Sequence, residues 1–381
     1  MVTDPTGPGE FGIYVHVPFC RHRCDYCAFA TYTDRDSLMD RYAEACAAEV
    51  RGAEDAGELV PATSVFFGGG TPSRLPTDAL ARILAALPRT TDAEVTVECN
   101  PEDATAARLD AYRAIGVTRM SFGVQSTARH VLAALGRRHD PELVPRAVEL
   151  AHTAGFAQVN VDLIYGAVGE SDEDWARTLD DILCLPHPPG HISAYALTVE
   201  PGTPLATDAA RHPDDDVQAA RYELADAVLG AAGFEWEEVS NWARPGHGCR
   251  HNTLYWRQGD YRGIGSAAHS HTNFPEGGRR WWNLRTPDRY VAAMEEGLSP
   301  VAAEERVQGD ARVLEGLMLA LRTPAGVPES ALPLEEEGLL DGLVERRADR
   351  AILTVRGRLM ATAVSTFLRV PVTSGTGRPG R

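Results

Sequence analysis

Lysine is absent from the 381 residues, so arginine supplies all 37 basic side chains. Phosphate binding through a P-loop lysine, a pyridoxal phosphate Schiff base and a lysine-dependent aldolase site are therefore excluded. Any positive charge that a ligand carboxylate requires must come from arginine, which pairs with a carboxylate through two parallel hydrogen bonds.

The chain also lacks a long apolar run and an excess of positive charge. No stretch approaches the roughly 18 uninterrupted apolar residues of a membrane span, and residues 1–12 show no secretory signal pattern. The formal net charge of -17 disfavours nucleic acid or an anionic membrane surface as the main partner. We therefore expect a cytoplasmic protein with no integral membrane segment and no nucleic-acid partner.

Short apolar segments of strand type alternate with helical patterns through the first half of the chain. The predicted strands are 12–19, 64–67, 94–98, 119–124, 158–164 and 191–199. The predicted helices are 38–53, 79–87, 104–115, 142–153 and 173–183. Alternating strands and helices imply a parallel sheet with right-handed crossovers. Six such units predict an α/β fold, an open (βα)6 partial TIM barrel, with functional side chains at the carboxyl edge of the sheet.

The second half of the chain predicts a different organisation. A helix over 217–232 precedes a region rich in aromatic residues, histidine and glycine over 234–282. From 307 to 368 the pattern predicts two helices, a strand over 351–355 and a last helix, typical of a small winged-helix-like α+β domain. That domain is not expected to bind DNA, because residues 305–369 contain nine arginines against ten acidic residues. The predicted organisation is an N-terminal segment (1–11), the barrel (12–205), an extension (206–304), the winged-helix-like domain (305–370) and a flexible tail (371–381).

Three of the seven cysteines, Cys20, Cys24 and Cys27, form a C-x3-C-x2-C pattern after the first predicted strand. Thiols stay reduced in the cytoplasm, so this crowding indicates a metal site or catalysis instead of disulfides. A structural zinc ion needs a fourth ligand, which His16 or His22 can supply, but zinc ligands usually come as two separated pairs. Three cysteines without a fourth predict a 4Fe-4S cluster with one iron open to a ligand, and a zinc-binding loop is the alternative.

The cysteine pattern, with the aromatic Tyr26 before its last cysteine, resembles that of the radical S-adenosylmethionine (SAM) superfamily. In that superfamily three cysteines hold a 4Fe-4S cluster, and the amino and carboxylate groups of SAM chelate the fourth iron. An electron from the cluster can then split SAM to a 5'-deoxyadenosyl radical, so the cofactor carries the chemistry and the protein positions it.

The resemblance extends to the ends of the later strands. A glycine run at 68–70 ends the second strand and resembles the motif that binds the methionine part of SAM, because glycine lets the backbone approach a ligand and present N–H groups. Glu98 ends the third strand, where a carboxylate can accept hydrogen bonds from ribose hydroxyls. By motif position the resemblance implies these SAM contacts: Tyr14, Gly69, Gly70, Thr71, Glu98, Gln125, Arg137, Asp162 and Ala196, with Tyr26 beside the cluster.

Residues 12–370 resemble one branch of the superfamily, the oxygen-independent coproporphyrinogen III oxidase group and the related HemW family of haem chaperones. The oxidases add a fourth cysteine at the position of Phe29 and a long extension before the first strand, and both features are missing here. Residues 251–256, His-Asn-Thr-Leu-Tyr-Trp, match the H-N-x-x-Y-W signature of the HemW family. The resemblance therefore implies a chaperone that binds a 4Fe-4S cluster, SAM and haem, and delivers haem to respiratory haem proteins.

Imidazole is a common axial ligand of haem iron, so His251 is the leading haem-ligand candidate. His247, Cys249, His269 and His271 lie in the same region. No catalytic residue is assigned, because haem transfer is a binding function, and an electron donor is a partner only if SAM is cleaved. The alternative function is an enzyme that decarboxylates the propionates of coproporphyrinogen III.

Overall fold

A computed structural model describes residues 9–335 and 338–371 of the chain. The strands are β1 (Phe11–Val17), β2 (Ala62–Gly69), β3 (Arg89–Cys99), β4 (Arg119–Gln125), β5 (Gln158–Tyr165), β6 (His191–Ala196), β7 (Glu235–Glu238), β8 (Asn241–Ala243), β9 (Asp260–Ile264), β10 (His269–Phe274), β11 (Gly277–Asn283), β12 (Val301–Gln308), β13 (Val327–Pro328), β14 (Val344–Arg347) and β15 (Arg350–Leu353). The α-helices are α1 (Met39–Asp55), α2 (Thr77–Ala86), α3 (Ala106–Ala114), α4 (Arg129–Ala134), α5 (Leu143–Thr153), α6 (Asp172–Leu183), α7 (Asp215–Ala231), α8 (Arg250–Trp256), α9 (Pro287–Glu295), α10 (Gly309–Ala320), α11 (Val355–Leu359) and α12 (Ala361–Ser365). Short 3-10 helices lie at Asp36–Leu38, Pro72–Arg74, Pro101–Asp103, Leu205–Thr207, Ala209–Arg211 and Glu329–Ala331.

The strands form a large sheet in which β1 to β6 follow one another in parallel. In the described part of the chain the sheet has 12 strands, in the order β12-β11-β10-β9-β1-β2-β3-β4-β5-β6-β8-β7. The partners of β6 are β5 and β8, so the six parallel strands do not close on themselves. The predicted open (βα)6 partial barrel is therefore confirmed.

Alternating side chains give the sheet one apolar face and one polar face. Along β1, Ile13, Val15 and Val17 belong to the main hydrophobic core. Along β5, Asn160 and Asp162 alternate with core residues and bond to polar neighbours on the adjacent strand. Because successive side chains of a strand point to opposite faces, the helices pack on the apolar face and the inside of the barrel is polar.

Capping residues mark several helix ends, and one helix was missing from the predicted set. The capping box between Ser171 and Asp174 opens α6, and Gly116 and Gly155 follow α3 and α5 with positive φ angles of 99° and 83°. The helix α4 was not predicted, because its six residues are too few to show an apolar period.

Strands from the second half of the chain extend the barrel sheet at both edges. The hairpin of β7 and β8 pairs with β6, and β9 pairs in parallel with β1. The predicted boundary at residue 305 falls inside β12, which pairs with β11 up to Gln308. The predicted extension over 206–304 thus shares its sheet with the barrel, and the other predicted boundaries stay predictions.

The C-terminal residues form a small α+β unit around a separate hydrophobic core. Its antiparallel sheet has the order β13-β15-β14 in the residues that the structure covers. The prediction of a second α-helix after α10 is wrong for the described residues. There, Glu329–Ala331 forms only a 3-10 helix. Pro328 and Pro333 flank this turn and cannot continue a helix.

Most of the predicted N-terminal segment (1–11) and of the predicted tail (371–381) lies outside the described residues. Over residues 9–335 and 338–371, the helices are all too short or too polar to pass through a bilayer. The predicted lack of an integral membrane segment concerns the whole chain and stays a prediction for the residues beyond these ranges.

Candidate functional site

The three motif cysteines lie on a loop that leaves the carboxyl end of β1. The loop is closed at its base by hydrogen bonds from the Cys20 N–H to the Tyr32 carbonyl (3.0 Å) and from the Tyr32 N–H to the Pro18 carbonyl (2.8 Å). Cys20, Cys24 and Cys27 are half-buried free thiols. The fold therefore holds all three thiols at the edge of the sheet where a ligand site is expected.

Polar groups from other strands surround these thiols. The Thr71 hydroxyl donates to Cys20 Sγ at 3.5 Å, and Arg137 Nη1 donates to Cys24 Sγ at 3.6 Å. Burial raises the pKa of Cys20 to about 11, and the nearby Cys27 also raises it. Burial likewise raises the pKa of Cys27. Without a bound metal, burial thus favours the protonated thiol at Cys20 and Cys27, and metal coordination is the usual way to deprotonate such a thiol.

The described residues contain no group of three or more His, Cys, Asp or Glu side chains arranged to hold one metal ion. His16, one of the two candidates for a fourth zinc ligand, has both ring nitrogens engaged, by the Tyr14 hydroxyl and the Ala30 carbonyl. A 4Fe-4S cluster takes each thiolate on a different iron and suits a donor set of cysteines alone. Three free thiols on one loop, with an arginine beside them, fit that group.

The glycine run packs tightly against β1 at two positions. A Cβ atom on Gly69, which has a φ of 107°, would lie 2.4 Å from the His16 ring. A Cβ atom on Gly70 would lie 2.7 Å from the Val17 carbonyl oxygen. Glycine is therefore required at both positions by close packing.

The N–H groups of the glycine run are not available to a ligand in this conformation, which corrects the expectation that they face one. The Gly69 N–H donates to Glu98 Oε2 at 3.2 Å. The Gly70 and Thr71 N–H groups donate to the carbonyls of Val17 and Phe19, both at 2.8 Å. The groups that this turn can offer to a ligand are carbonyl oxygens and the Thr71 side chain, which suit an ammonium group better than a carboxylate.

Two carboxyl groups face the inside of the barrel. Burial raises the pKa of Glu98 to about 8, and the neighbouring Asp162 adds to the effect. Burial also raises the pKa of Asp162, although Asn160 Nδ2 and the Ser121 hydroxyl donate to its oxygens at 2.9 Å and 3.1 Å. Two mutually repelling acids in a polar cavity are typical of a binding site and are rarely found without a ligand partner.

Gln125 and Arg137 meet at the end of β4. Gln125 has a φ of 65°, uncommon for a residue with a side chain, and the register with β5 shifts at this point. Arg137 Nη2 donates to the Gly123 carbonyl (2.7 Å) and to Asn100 Oδ1 (2.9 Å). The buried atoms Gln125 Oε1 and Arg137 Nε lack a partner among the described residues. A strained backbone with unpaired buried polar atoms is an arrangement that a bound ligand can satisfy.

The remaining predicted contacts lie along the same edge. The Tyr14 hydroxyl bonds to His16 Nδ1 at 3.1 Å, and its ring stacks on Phe66. Tyr26 packs beside a small hydrophobic cluster next to the cysteine loop. Ala196 is the last residue of β6. The predicted SAM contacts thus lie on β1 to β6 or on the loops that follow them, except Arg137, which lies between α4 and α5 and reaches the end of β4.

His251 lies at the opposite, amino end of the barrel and is only 1% exposed. Its Nδ1 bonds to the Ser64 hydroxyl (3.0 Å) and its Nε2 to the Tyr255 hydroxyl (2.8 Å). Its ring stacks on Phe66, and burial lowers its pKa to about 3. Both ring nitrogens are occupied, so the haem-ligand role predicted for His251 has no support in this conformation.

The site also contains Asn100 and Asp25, which were not predicted from the sequence, and His16, which was considered only as a zinc ligand. Asn100 anchors Arg137, and His16 links Tyr14 to the Ala30 carbonyl through its Nε2 at 3.0 Å. Asp25 accepts a hydrogen bond from Arg211 at 2.7 Å and fixes the cysteine loop to a distant 3-10 helix. Asn100 directly follows Cys99, the last residue of β3, so its place at a strand end could have indicated a site residue. No sequence signal links Asp25 with Arg211.

Comparison with known proteins gives consistent matches. The sequence profile of the family described as "Radical SAM superfamily" matches residues 14–182. The chain is 44% identical over 374 residues to "Heme chaperone HemW" of Mycobacterium tuberculosis, and the match covers 94% of each chain. It is 37% identical over 270 residues to the protein of the same name from Escherichia coli, covering 70% of this chain and 71% of that one.

A solved structure is also similar over nearly the whole chain. Coproporphyrinogen III oxidase (HemN) from Escherichia coli, described as a radical SAM enzyme, superposes with a TM-score of 0.78 at 22% sequence identity. The match covers 94% of this chain and 89% of that one. At this level of identity the similarity shows a shared fold alone.

Proposed function

Because the chain belongs to the HemW family within the radical SAM superfamily, we propose that it is a haem chaperone that binds haem and delivers it to acceptor proteins. The observation that carries this proposal is the 44% identity to a HemW protein over 94% of both chains. Phe29, which is 66% exposed, supports it, because the residue stands where the related oxidases have a fourth cysteine.

We further propose that Cys20, Cys24 and Cys27 hold the 4Fe-4S cluster. A cluster held by these three cysteines would supply an iron position for SAM and an electron for its reduction. Arg137 Nη1 donates a hydrogen bond to Cys24 Sγ and would place a positive charge beside the cluster.

The residues that would hold SAM are those at the strand ends. Carbonyl oxygens of the glycine run would accept hydrogen bonds from the ammonium group, and Glu98 would accept them from ribose hydroxyls. The proposed contacts are Tyr14, Gly69, Gly70, Thr71, Glu98, Gln125, Arg137, Asp162 and Ala196, with Tyr26 beside the cluster. The orphaned oxygen of Gln125 and the unpaired Nε of Arg137 support this assignment.

The location and partners follow from the same chemistry. Free thiols that must coordinate iron suit a reducing compartment, so we place the protein in the cytoplasm. The acceptors of haem would be respiratory haem proteins. An electron donor joins the partners only if SAM is cleaved.

We expect SAM affinity to rise as the pH increases through about 8, because Glu98 then ionises and its carboxylate accepts hydroxyl hydrogen bonds. Below that pH the carboxyl group is protonated and is a weaker acceptor. The variant Glu98→Gln should bind SAM roughly tenfold more weakly at pH 9, a loss typical of one charge-assisted hydrogen bond. Calorimetric titration of the cluster-loaded proteins between pH 7 and pH 9 measures both effects.

The control for this experiment is Glu142→Gln, because Glu142 is an exposed acid paired with Arg129. SAM has its own titrating groups, but these are common to all three proteins, so the difference between the variants isolates Glu98. Equal affinities and equal pH profiles for wild type and Glu98→Gln would contradict the assignment.

Anaerobically prepared wild-type protein is expected to bind haem stoichiometrically, with a Soret band that grows until the sites are filled. A protein without a haem site, at the same concentration, provides the comparison for non-specific haem uptake. Absence of saturable binding beyond that of the control protein would contradict the chaperone function.

The alternative function is oxidative decarboxylation of coproporphyrinogen III, the activity of the oxidases whose sequence motifs residues 12–370 also resemble. Incubation of the cluster-reduced protein with SAM and coproporphyrinogen III, followed by chromatography of the porphyrins, tests it. We expect no protoporphyrinogen. Its formation at the rate of a genuine oxidase would establish the alternative.

A further inference from the structure

The inference below rests on the proposed haem chaperone function and concerns the residue that binds the haem iron. His251 has no free ring nitrogen, so a different ligand is needed if the iron is held by imidazole. Such a ligand needs an exposed imidazole ring with a ring nitrogen that makes no hydrogen bond.

Most other histidines are engaged elsewhere. His191 is bonded through both ring nitrogens, and His271 is buried beneath Arg312 with its Nδ1 on the Gly259 carbonyl. On the outside of the fold, His130 pairs with Asp174 and His187 stacks on His152. Among the described residues, His269 is the histidine that combines an exposed ring, no ring hydrogen bond and a stacked tryptophan, which suits a large flat ligand.

His269 opens β10 on the continuation of the concave barrel face. The side chain of the next residue, Ser270, points to the other face of the sheet. There its hydroxyl oxygen accepts hydrogen bonds from Arg262 and from the Gly263 N–H. His269 therefore points to the face opposite α1, because successive side chains of a strand alternate. This is the face on which Tyr14 and the predicted SAM contacts lie, since β9 links β10 to β1.

The ring of His269 is exposed and stacked on an indole. His269 pairs across the strands with Trp282, and the two ring centroids are 5.6 Å apart with an angle of 25° between the planes. No hydrogen bond to either ring nitrogen of His269 is formed by the residues that the structure covers. Partial burial and Arg280 lower the pKa of His269, so the neutral imidazole that coordinates iron dominates at pH 7.

A cation lies in the same neighbourhood. Arg285 lies two residues beyond the end of β11 and three positions after Trp282. Both His269 and Arg285 lower the pKa of His16, after the larger effect of burial. Arg285 is exposed, and within the described ranges it has no carboxylate partner, unlike Arg280, which pairs with Glu305 and Glu315. Because haem carries two propionates, a free guanidinium beside an imidazole and an indole matches its charge and its shape.

We propose that haem binds on the concave face of β10 and β11, with His269 as the axial ligand of the iron, Trp282 packed beside the porphyrin and Arg285 paired with a propionate. His16 lies next to the turn that carries Gly69, so the site would border the SAM pocket without overlapping the floor of the barrel. His251 would then contribute to the fold and not to iron binding.

The test is haem titration of the full-length protein, followed by absorption and EPR spectra of the ferric complex. His269→Ala is expected to weaken binding about tenfold or more and to change the Soret position and the EPR signal, because an axial bond is lost. His269→Gly with added imidazole should recover the wild-type spectra. His130→Ala, an exposed histidine on another face, is the matched control and should bind as the wild type does.

Arg285→Gln tests the propionate contact separately. It should weaken haem binding several-fold while the Soret position stays that of the wild type, because the iron ligand is intact. Haem dimethyl ester, which has no free propionate, should bind equally to wild type and Arg285→Gln.

The results of these titrations test the haem site and the chaperone function separately. Wild-type affinity and spectra in His269→Ala would overturn the ligand assignment while leaving a haem chaperone in place. Absence of haem binding by the wild type would overturn the proposed function and this site together. Unchanged cluster absorption and an unchanged melting temperature in His269→Ala show that the variant is folded, so a loss of binding supports the assignment.

Discussion

Replacement of His251 by alanine is expected to lower the free energy of unfolding by roughly 3–6 kcal/mol. The ring is fully buried, so its removal leaves a cavity beside Phe66. It also leaves the hydroxyl groups of Ser64 and Tyr255 without their partner. Urea denaturation of wild type and variant, with comparable slopes, measures the difference.

The matched control is His130→Ala, because His130 is exposed and makes one surface ion pair. Its unfolding free energy should stay within about 0.5 kcal/mol of the wild type. If His251→Ala were as stable as His130→Ala, the structural role assigned to His251 would be wrong.

The reason for a large effect is that α8 closes the amino end of the barrel. Glu94 on β3 accepts hydrogen bonds from the N–H groups of Arg250 and His251 at the start of α8, at 3.2 Å and 3.1 Å. A Cβ atom on Gly12 would lie 2.6 Å from Leu254. The H-N-x-x-Y-W helix is thus packed directly onto the first residues of β1, β2 and β3.

The second large effect concerns the cysteine loop. Each of Cys20→Ser, Cys24→Ser and Cys27→Ser is expected to reduce the iron and sulfide content of anaerobically reconstituted protein by about tenfold or more, since loss of one thiolate removes one of three protein ligands. The visible absorption of the cluster should fall in proportion. Iron, zinc and sulfide analysis of the purified proteins provides the measurement.

Cys184→Ser is the control for that series, because Cys184 is an exposed free thiol outside the loop. It should retain the wild-type iron content. Full iron and sulfide in any of the three loop variants would contradict the cluster assignment. Zinc without iron in the wild type would establish the zinc-binding loop instead.

Much of the fold could be predicted because it depends on local patterns. Short apolar segments located the six parallel strands within a few residues, and the helical pattern over 173–183 located α6. The order of elements then predicted a partial barrel, and the rule that ligands bind at the carboxyl edge predicted where the cysteine loop and Glu98 would lie.

The remaining features depend on contacts between residues distant in sequence. His251 was predicted as a ligand from its motif, but its partner Ser64 lies 187 positions earlier in the chain. The N–H groups of Gly70 and Thr71 were expected to face a ligand, yet they bond to the β1 end at Val17 and Phe19. Such pairings follow from the packing of neighbouring strands and leave no periodic signal in the sequence.

Arginine carries every positive charge in the folded protein, and this shapes its buried interactions. Arg262 pairs with Glu49 at 3.2 Å between β9 and α1, with both side chains almost fully buried. Arg221 pairs with Glu170 at 2.7 Å in a similar setting. The planar guanidinium suits such sites because it donates several hydrogen bonds at once.

Transfer of haem to an acceptor tests the central claim most directly. Haem-loaded protein is mixed with the haem-free form of a respiratory haem protein, and the acceptor is then separated and its haem content and activity are measured. We predict that the acceptor gains haem faster from this protein than from an equal concentration of haem-loaded serum albumin, and that the same preparation forms no protoporphyrinogen from coproporphyrinogen III. Failure to load the acceptor, together with turnover of coproporphyrinogen III, would contradict the chaperone function.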